Sequence, residues 1–287
     1  MKFTKLLVAI PVIAFALTYS SCQNDEKITQ EDEMAEGLNE EPSEAEKDFI
    51  ASLDINLNDA VLQDFIYPDG TTEPQYIVEG DIAMTVEEFE KLQASPEELE
   101  ATLRQYRSYN LCDSPQTISV IGYTGGGGYG LTNKMQTALG WAINNYNNIN
   151  TGLNFTLTYG TNYSSYDMVV YRVPNGEVGG VAGFPYSNGN PYKWVQIFSG
   201  MDNYNTNTNE HVITHEIGHC VGLRHTDWWN RASCGSGGGE GANPSGAVHV
   251  PGTPTNIDWN SVMLACFGSN EDGEFGFYDE VALEYLY

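Results

Sequence analysis

Basic residues are scarce in this sequence. Its 287 residues include 12 lysines and arginines against 39 aspartates and glutamates, so the formal net charge is −27 at pH 7. A nucleic-acid-binding protein needs a basic surface to neutralise phosphates, and this charge therefore excludes that class of function. The same charge disfavours electrostatic binding to an anionic membrane surface.

Long apolar runs are also missing. The main one, Leu6–Leu17, is shorter than the roughly 20 residues that a transmembrane helix needs. It follows Lys2 and Lys5, an arrangement typical of a secretory signal peptide, which we place at residues 1–21. The small residues before Cys22 resemble the cleavage site of a bacterial lipoprotein, so we expect Cys22 to become the lipidated first residue. A soluble secreted protein with an incidental cysteine is the alternative.

The stretch after Cys22 is rich in acidic residues. Its first residues, QNDEK, resemble the surface-export signals of some Gram-negative lipoproteins. Residues 22–48 are polar, acidic and poor in aromatics, which predicts a disordered tether. We therefore expect a monomer held by a lipid anchor at the outer membrane or surface of a Gram-negative bacterium, or else secreted from it.

Cysteine pairs with the spacing of a zinc knuckle are absent, since no CxxC occurs among the five cysteines. In an oxidising compartment, the four cysteines that follow Cys22 can form two disulfides in three connectivities. We favour a single bridge, Cys234–Cys266. Buried free thiols are the alternative for all four, which include Cys112 and Cys220.

Residues 49–112 differ in composition from the tether and contain two helix start signals. Capping boxes begin at Thr85 and at Ser95. An apolar stretch, YIVEGDIAM, precedes the first of them. The pattern predicts a small, acidic, helical pro-segment over residues 49–112, in front of a larger domain over residues 113–287.

The larger domain alternates between strand and helix patterns. TISVIGY, LNFTLTY, DMVVYRV and WVQIFSG have the patterns of strands, whereas LTNKMQTALGWAINNYNNI has the apolar period of a helix. GGVAGFPY carries glycines and Pro185, which suit an edge strand. The glycine-rich TGGGGYG lacks the lysine of a P-loop, so we interpret it as a loop.

Histidine is rare as well, and three of the five histidines lie within HEIGHCVGLRH. His215 and His219 are four residues apart, which places both on one face of a helix. Gly222 permits the left-handed turn that ends the helix, so that His225 can return as a third ligand. Three protein ligands with an open fourth position are the pattern of a catalytic zinc site. Glu216 is then the expected general base.

Other interpretations of this region are weaker. A closed structural zinc site would use a fourth protein ligand and would have no role for Glu216. We expect the helix to begin near Asn207 and His211 to be solvated in its first turn. His249 is expected to belong to a loop. Asp227 is a candidate acceptor that holds a ligand histidine in place.

HEIGHCVGLRH resembles the extended zinc signature of the metzincins. NSVMLACF resembles their Met-turn, in which Met263 would pack under the zinc without binding it. Together with VHVPGTPTN and YDEVALEYLY, these motifs are similar to those of the bacterial dual-action HEIGH metallopeptidase family, over about residues 115–287. The resemblance implies an α+β zincin fold with a twisted mixed sheet, an active-site helix and a Met-turn. Ala265 stands where astacins and serralysins carry a tyrosine ligand, so we expect none here, and the oxyanion stabiliser besides zinc stays open.

A candidate for latency lies in the pro-segment. VEGDI resembles the Gly-Asp switch of astacin pro-segments, in which the aspartate binds zinc in place of water. By this resemblance the Asp81 carboxylate points into the space between the three imidazoles. A plain turn at Gly80 and Asp81, and a thiolate plug from Cys112, are the alternatives.

These features predict a zinc-dependent endopeptidase that hydrolyses protein or peptide substrates and is made as a latent zymogen. A catalytically silent surface binding protein with a zincin fold is the alternative, which Glu216 disfavours because binding alone requires no base. An extended substrate is expected to add as a strand to the edge formed by Val181, Ala182, Gly183 and Phe184.

The sequence leaves the substrate open. The selecting pocket is expected around residues 264–278, where no single charge dictates a preference. GSNEDGE in the same region is too short and irregular for an EF-hand loop, so we interpret it as a surface loop rather than a calcium site.

Overall fold

The computed structural model describes residues 61–78, 80–87, 107–108, 110–228, 230–235, 249–254 and 256–287. The predicted signal peptide, Cys22, the tether and the helix expected at Ser95 lie outside these residues, and of the helix expected after Thr85 only Val86 and Glu87 are described. All described residues belong to one compact unit, Gly37–Tyr287. None of the helices within them has the length and apolar character needed to cross a bilayer.

A small antiparallel sheet comes first in the chain. Its strands are β1 (Val61–Ile66), β2 (Thr72–Val78) and β3 (Ile82–Thr85), paired in the order β1-β2-β3. The turn between β1 and β2 is held by Asp69, whose carboxylate accepts hydrogen bonds from the backbone and the hydroxyl of Thr71. The prediction of a small helical pro-segment did not include this sheet.

A mixed sheet of five strands forms the larger part of the fold. The strands are β4 (Gln116–Tyr123), β5 (Leu153–Gly160), β6 (Met168–Val173), β7 (Gly180–Val181) and β8 (Trp194–Phe198). Their order is β5-β4-β6-β8-β7, and all but β7 run parallel. The strands predicted from the sequence are therefore confirmed, and β7 lies at the edge, as the glycine-rich segment suggested. Strand β6 is almost continuously apolar because central parallel strands are buried on both faces.

Three helices complete the described fold: α1 (Asn133–Asn148), α2 (Thr206–Cys220) and α3 (Phe277–Leu286). Helix α2 begins just before the expected Asn207, because the Asn205 side chain caps it by accepting the backbone N–H of Thr208. It packs against α1, β7 and β8, and every residue from Thr208 to Cys220 is buried. The expected α+β fold with a mixed sheet is confirmed.

The small sheet is part of the same hydrophobic core as the mixed sheet. The Ile66 carbonyl at the end of β1 accepts hydrogen bonds from the Tyr171 hydroxyl at 2.7 Å and the Gln196 amide at 2.9 Å. The small sheet contributes Phe65, Ile77 and Ala83 to this core. These contacts hold the end of β1 against β6 and β8, and a bridge between Ile82 and Ala182 places β3 beside the residue that follows β7.

One disulfide links two loops beside α2. Cys234 and Cys266 are bonded, as predicted, and Cys112 and Cys220 are buried free thiols. The bridge joins a short 3₁₀ turn, Ala232–Cys234, to the segment that follows Met263.

Candidate active site

Three histidines converge behind the edge of the mixed sheet. His215 and His219 lie one turn apart on α2, and the helix ends at Cys220. Gly222 adopts φ of +103°, which reverses the chain and returns His225 to the same point. The Nε2 atoms of the three rings are 3.0 to 3.2 Å from one another.

The other ring nitrogens define the chemistry of this trio. Nδ1 of His215 lies 2.9 Å from the Val262 carbonyl, and Nδ1 of His219 lies 2.8 Å from the Leu223 carbonyl. A carbonyl can only accept, so Nδ1 carries a proton in both rings, and in the neutral ring Nε2 is then the nitrogen that presents a lone pair. Burial lowers the pKa of His219, and the neighbouring imidazoles lower it further, which favours the neutral ring that binds metal.

Asp81 adds a carboxylate to the same point. Its Oδ2 lies 3.1 Å from Nε2 of His225 and 3.5 Å from Nε2 of His215. The four side chains place one ligand atom each within 4.8 Å of one another and could hold a metal ion. Lone pairs and a carboxylate repel one another, so a cation at this point would stabilise their convergence, and this donor set fits zinc. Gly80 precedes Asp81 in the left-handed conformation, with φ of +86°.

Glu216 follows the first histidine and is almost fully buried. Its Oε2 has no hydrogen-bond partner within the described part of the chain, a costly state that points to a functional role. Burial raises the pKa of the Glu216 carboxyl well above its usual range, and the Asp81 carboxylate raises it further. A Cβ at Gly180 of β7 would lie 2.8 Å from Oε1, so a glycine is needed there to make room. The sequence pattern did not single out Gly180.

Met263 packs against α2 between the first two histidines. A Cβ at Gly218 would lie 2.5 Å from its sulfur, so Gly218 allows the side chain to approach the helix. The neighbouring Val262 carbonyl accepts a hydrogen bond from Nδ1–H of His215, and the Met263 carbonyl accepts one from the backbone N–H of Thr226. This segment thus contacts both ends of the histidine motif.

Two residues near the motif differ from their predicted roles. Asp227 was expected to hold a ligand histidine, but its carboxylate accepts hydrogen bonds from Ser233 and from the Ala265 backbone, and so joins two loops. His211 was expected to be solvated, but it is buried, because the segment after Met263 covers the first turns of α2. Its Nδ1 bonds to the Asp272 carbonyl.

His249 and Cys112 are the two other residues considered for the site, and each one makes a contact with a backbone carbonyl. Nε2 of His249 lies against the Thr253 carbonyl, as expected for loop structure. The sulfur of Cys112 contacts the Cys220 carbonyl at 3.9 Å. Cys112 is not part of the potential metal group found in the described residues, which disfavours the thiolate plug.

The edge strand is covered by the chain itself. The Ala182 N–H donates to the Asp81 carbonyl at 2.9 Å, the Ala83 N–H donates to the Ala182 carbonyl at 2.6 Å, and the two segments run parallel. A Cβ at Gly183 would lie 2.7 Å from the Ala83 carbonyl oxygen, so glycine permits this approach. The next residue, Phe184, places its ring edge-on to the His219 ring, with 5.7 Å between centroids.

A cavity of about 300 Å³ opens beside Glu216 and His215. One wall is α2, and another is the segment after Met263, where the sequence placed the selecting pocket. Arg231 also lines the cavity, although it lies outside residues 264–278. The sequence offers one signal for Arg231, its position three residues before Cys234. The disulfide from Cys234 to Cys266 joins the loop of Arg231 to the segment after Met263.

One protein family matches most of the chain. Residues 76–287 match the model of a family described as dual-action HEIGH metallo-peptidases. The match begins within β2 and includes Asp81, whereas the resemblance noted in the sequence began at about residue 115. No curated protein matches.

Two solved structures are similar over part of the chain. Myroilysin is 12% identical, the alignment covers 62% of this chain and 82% of that one, and the TM-score is 0.39. High choriolytic enzyme 1, a hatching enzyme zinc-protease from Oryzias latipes (medaka fish), is 13% identical over 63% of this chain and 92% of that one, with a TM-score of 0.33. The family assignment rests on the match of residues 76–287.

Proposed function

We propose that this chain, which belongs to the dual-action HEIGH metallopeptidase family, is a zinc endopeptidase that its own Asp81 holds in a latent state. The family establishes a metallopeptidase, and three converging imidazole nitrogens identify zinc as its cofactor. The observation that carries the proposal is the Asp81 carboxylate, which lies at the point where the imidazoles meet.

His215, His219 and His225 are the proposed zinc ligands, and Glu216 is the proposed base. When bound, zinc lowers the pKa of a coordinated water and polarises the carbonyl of the scissile bond. Glu216 accepts one proton from the attacking water and donates it to the leaving amine nitrogen. Burial and the Asp81 carboxylate both raise the pKa of Glu216 in the latent form, and the departure of Asp81 removes the second of these causes.

Latency follows from two contacts of the pro-segment. Asp81 occupies the position that the attacking water needs, and the backbone of Asp81 and Ala83 occupies the hydrogen-bonding groups of Ala182. When this segment leaves, the same edge becomes free to hold an extended peptide by strand addition. A groove that binds backbone along an open edge accepts the interior of a chain, which supports an endopeptidase.

The cellular setting is part of the proposal. The signal peptide at residues 1–21 and the lipidated Cys22 would place the enzyme at the outer membrane or cell surface, tethered by residues 22–48. Latency before export is compatible with this setting, because an open zinc site would otherwise act on proteins of the producing cell.

Casein cleavage separates an enzyme from a silent binding protein. The full-length Asp81→Ala variant should degrade casein to discrete fragments, a zinc chelator should stop the reaction, and added zinc should restore it. Casein that is bound but left intact by this zinc-loaded variant would contradict the proposed function and favour the binding protein.

A further inference from the structure

We propose that Ser108 and its neighbours hold the turn that carries His225 to the metal point, and that an active enzyme has to keep them. The neighbours are Arg107 and residues 110–112, and together with Ser108 they are named the entry segment, because the chain passes through them into β4. The turn consists of residues 221–223, directly after α2, and is named the ligand turn. The inference rests on the proposed zinc ligands and adds residues that position two of them.

The ligand turn has backbone carbonyls that α2 itself cannot satisfy. The last four carbonyls of a helix lack partners within the helix, and the ligand turn is buried, so other groups must donate to them. The Gly222 carbonyl accepts the backbone N–H of Ser108 at 2.8 Å. The Val221 carbonyl accepts the hydroxyl of Tyr287, and this hydroxyl accepts the backbone N–H of Cys112 at 3.4 Å. The entry segment therefore supplies one donor directly and supports another.

The entry segment also pairs with the residue that orients His219. Arg107 and Leu223 form an antiparallel bridge. The Leu223 carbonyl accepts a hydrogen bond from Nδ1–H of His219 at 2.8 Å, a contact of the kind that fixes the orientation of a ligand ring. Leu223 also lies two residues before His225. A displacement of Leu223 would therefore affect two of the three proposed ligands.

Side chains of the entry segment enclose Gly222. A Cβ at Gly222 would lie 2.8 Å from Cδ2 of Leu111 and 3.0 Å from Oγ of Ser108. The Ser108 hydroxyl is buried, donates to the Asn110 carbonyl at 2.6 Å and lies 3.4 Å from the Gly222 carbonyl. The left-handed turn at Gly222 is thus in close contact with the entry segment, which limits the positions that the ligand turn can adopt.

These contacts give the entry segment a role opposite to that of Asp81. Asp81 occupies the metal point, whereas Ser108 supports the turn that brings His225 there. The sequence placed the entry segment within the expected pro-segment, residues 49–112. If all of those residues left, the buried Gly222 carbonyl would lose its donor, which is costly. Activation therefore removes the block at Asp81 and leaves the entry segment in place.

Zinc affinity tests this role in the full-length Asp81→Ala protein, in which Asp81 no longer contributes a ligand. A metal binds more weakly in proportion to the fraction of protein whose ligands are out of place. Ser108→Pro removes the N–H that the Gly222 carbonyl accepts, so the zinc Kd, measured by competition with a chelator, should rise by about tenfold or more. Ser108→Ala keeps this N–H and removes the hydroxyl, so the zinc Kd should rise by about threefold or more.

Two controls separate positioning from a general loss of stability. Ser108→Thr keeps both the N–H and a hydroxyl and should bind zinc as tightly as the parent does. Thr137→Ala removes an exposed hydroxyl of α1 that donates to the Asn133 carbonyl at 3.0 Å, and it should leave the zinc Kd unchanged. Urea unfolding in the presence of a chelator identifies the variants that fold without metal. If Ser108→Pro fails to fold, Ser108→Ala decides.

A zinc Kd within twofold of the parent in the folded Ser108→Pro or Ser108→Ala protein would overturn the inference. An equal rise in Thr137→Ala would overturn it as well, because the effect would then not be specific to the ligand turn. The proposed peptidase function is tested separately, since zinc affinity is measured without a substrate. A parent protein that binds zinc and leaves casein intact would refute the peptidase, whatever the Ser108 variants show.

Discussion

At the scale of single residues, Glu216 has the clearest predicted effect. In the full-length Asp81→Ala variant, which serves as the parent here, Glu216→Gln keeps the shape of the side chain and leaves the three imidazoles untouched, so zinc content should stay at one ion per chain. Because the amide cannot accept the proton of the attacking water, kcat should fall by about 10²- to 10⁴-fold. Metal analysis and peptide cleavage measure the two effects. Activity within tenfold of the parent would show that Glu216 is not the base.

His211 gives a second prediction, which concerns pH. Burial, together with the nearby His215, lowers the pKa of His211 to about 4, below the value of about 6.5 in the unfolded chain. The unfolded state then binds more protons between these values, so His211 stabilises the fold fully above pH 6.5 and this contribution is lost as pH falls towards 4. The loss should approach about 3 kcal/mol.

Urea unfolding of the parent and of His211→Gln at several pH values measures this contribution. Glutamine does not titrate, so the difference in unfolding free energy between the two proteins should decrease from pH 7 to pH 4. Zinc release at low pH affects both proteins and cancels in the comparison. A difference that is independent of pH would contradict a buried neutral His211.

At the scale of structural elements, the disulfide joins the loop of Arg231 to the cavity wall. Cys234 and Cys266 are separated by 32 positions, and removal of a bridge that closes such a loop typically costs about 2 to 4 kcal/mol. Cys234→Ser combined with Cys266→Ser should lower the unfolding free energy by this amount in denaturant titrations. Zinc binding should persist, because the ligands lie on α2 and the turn after it. Loss of the metal in the folded double variant would contradict the claim that zinc binding is independent of the disulfide.

Strands and helices differed in how far the sequence determined them. The long amphipathic α1 and the almost fully apolar β6 follow from local pattern, and both were predicted. Strand β2 was not, because Pro74 and its polar neighbours disfavour a strand. In the structure, β3 pairs only with Gln75–Val78, so the missing N–H of Pro74 interrupts no ladder with β3.

At the scale of the whole molecule, the proposed signal peptide and lipidated Cys22 would decide where the enzyme works. Cys22→Ser should move the protein from the membrane fraction to the soluble fraction, because it removes the proposed site of lipid attachment. Ser20→Ala, which keeps a small residue before the cysteine, should leave the protein in the membrane fraction. Fractionation followed by immunoblotting measures both. Wild-type protein in the soluble fraction would contradict the lipoprotein proposal.

The site shows what a sequence can and cannot predict. His215, His219, His225 and Glu216 are near one another in the chain, so helical geometry was enough to bring them together. Asp81 was proposed through resemblance to a switch motif, and the structure places its carboxylate at the trio. Arg231 depends on a disulfide and on a left-handed turn, neither of which leaves a periodic signal. The same holds for Gly180, whose role appears only when β7 lies against Glu216.

Latency through Asp81 is the central claim, and one rate comparison tests it most directly. Peptide cleavage is measured for the full-length wild-type protein, for Asp81→Ala and for Asp64→Ala, which removes an exposed carboxylate from β1 of the same segment. The account predicts that intact wild-type protein and Asp64→Ala are inactive and that Asp81→Ala is active without any proteolysis. Full activity of the intact wild-type protein, or an Asp81→Ala variant that binds zinc and stays inactive, would contradict it.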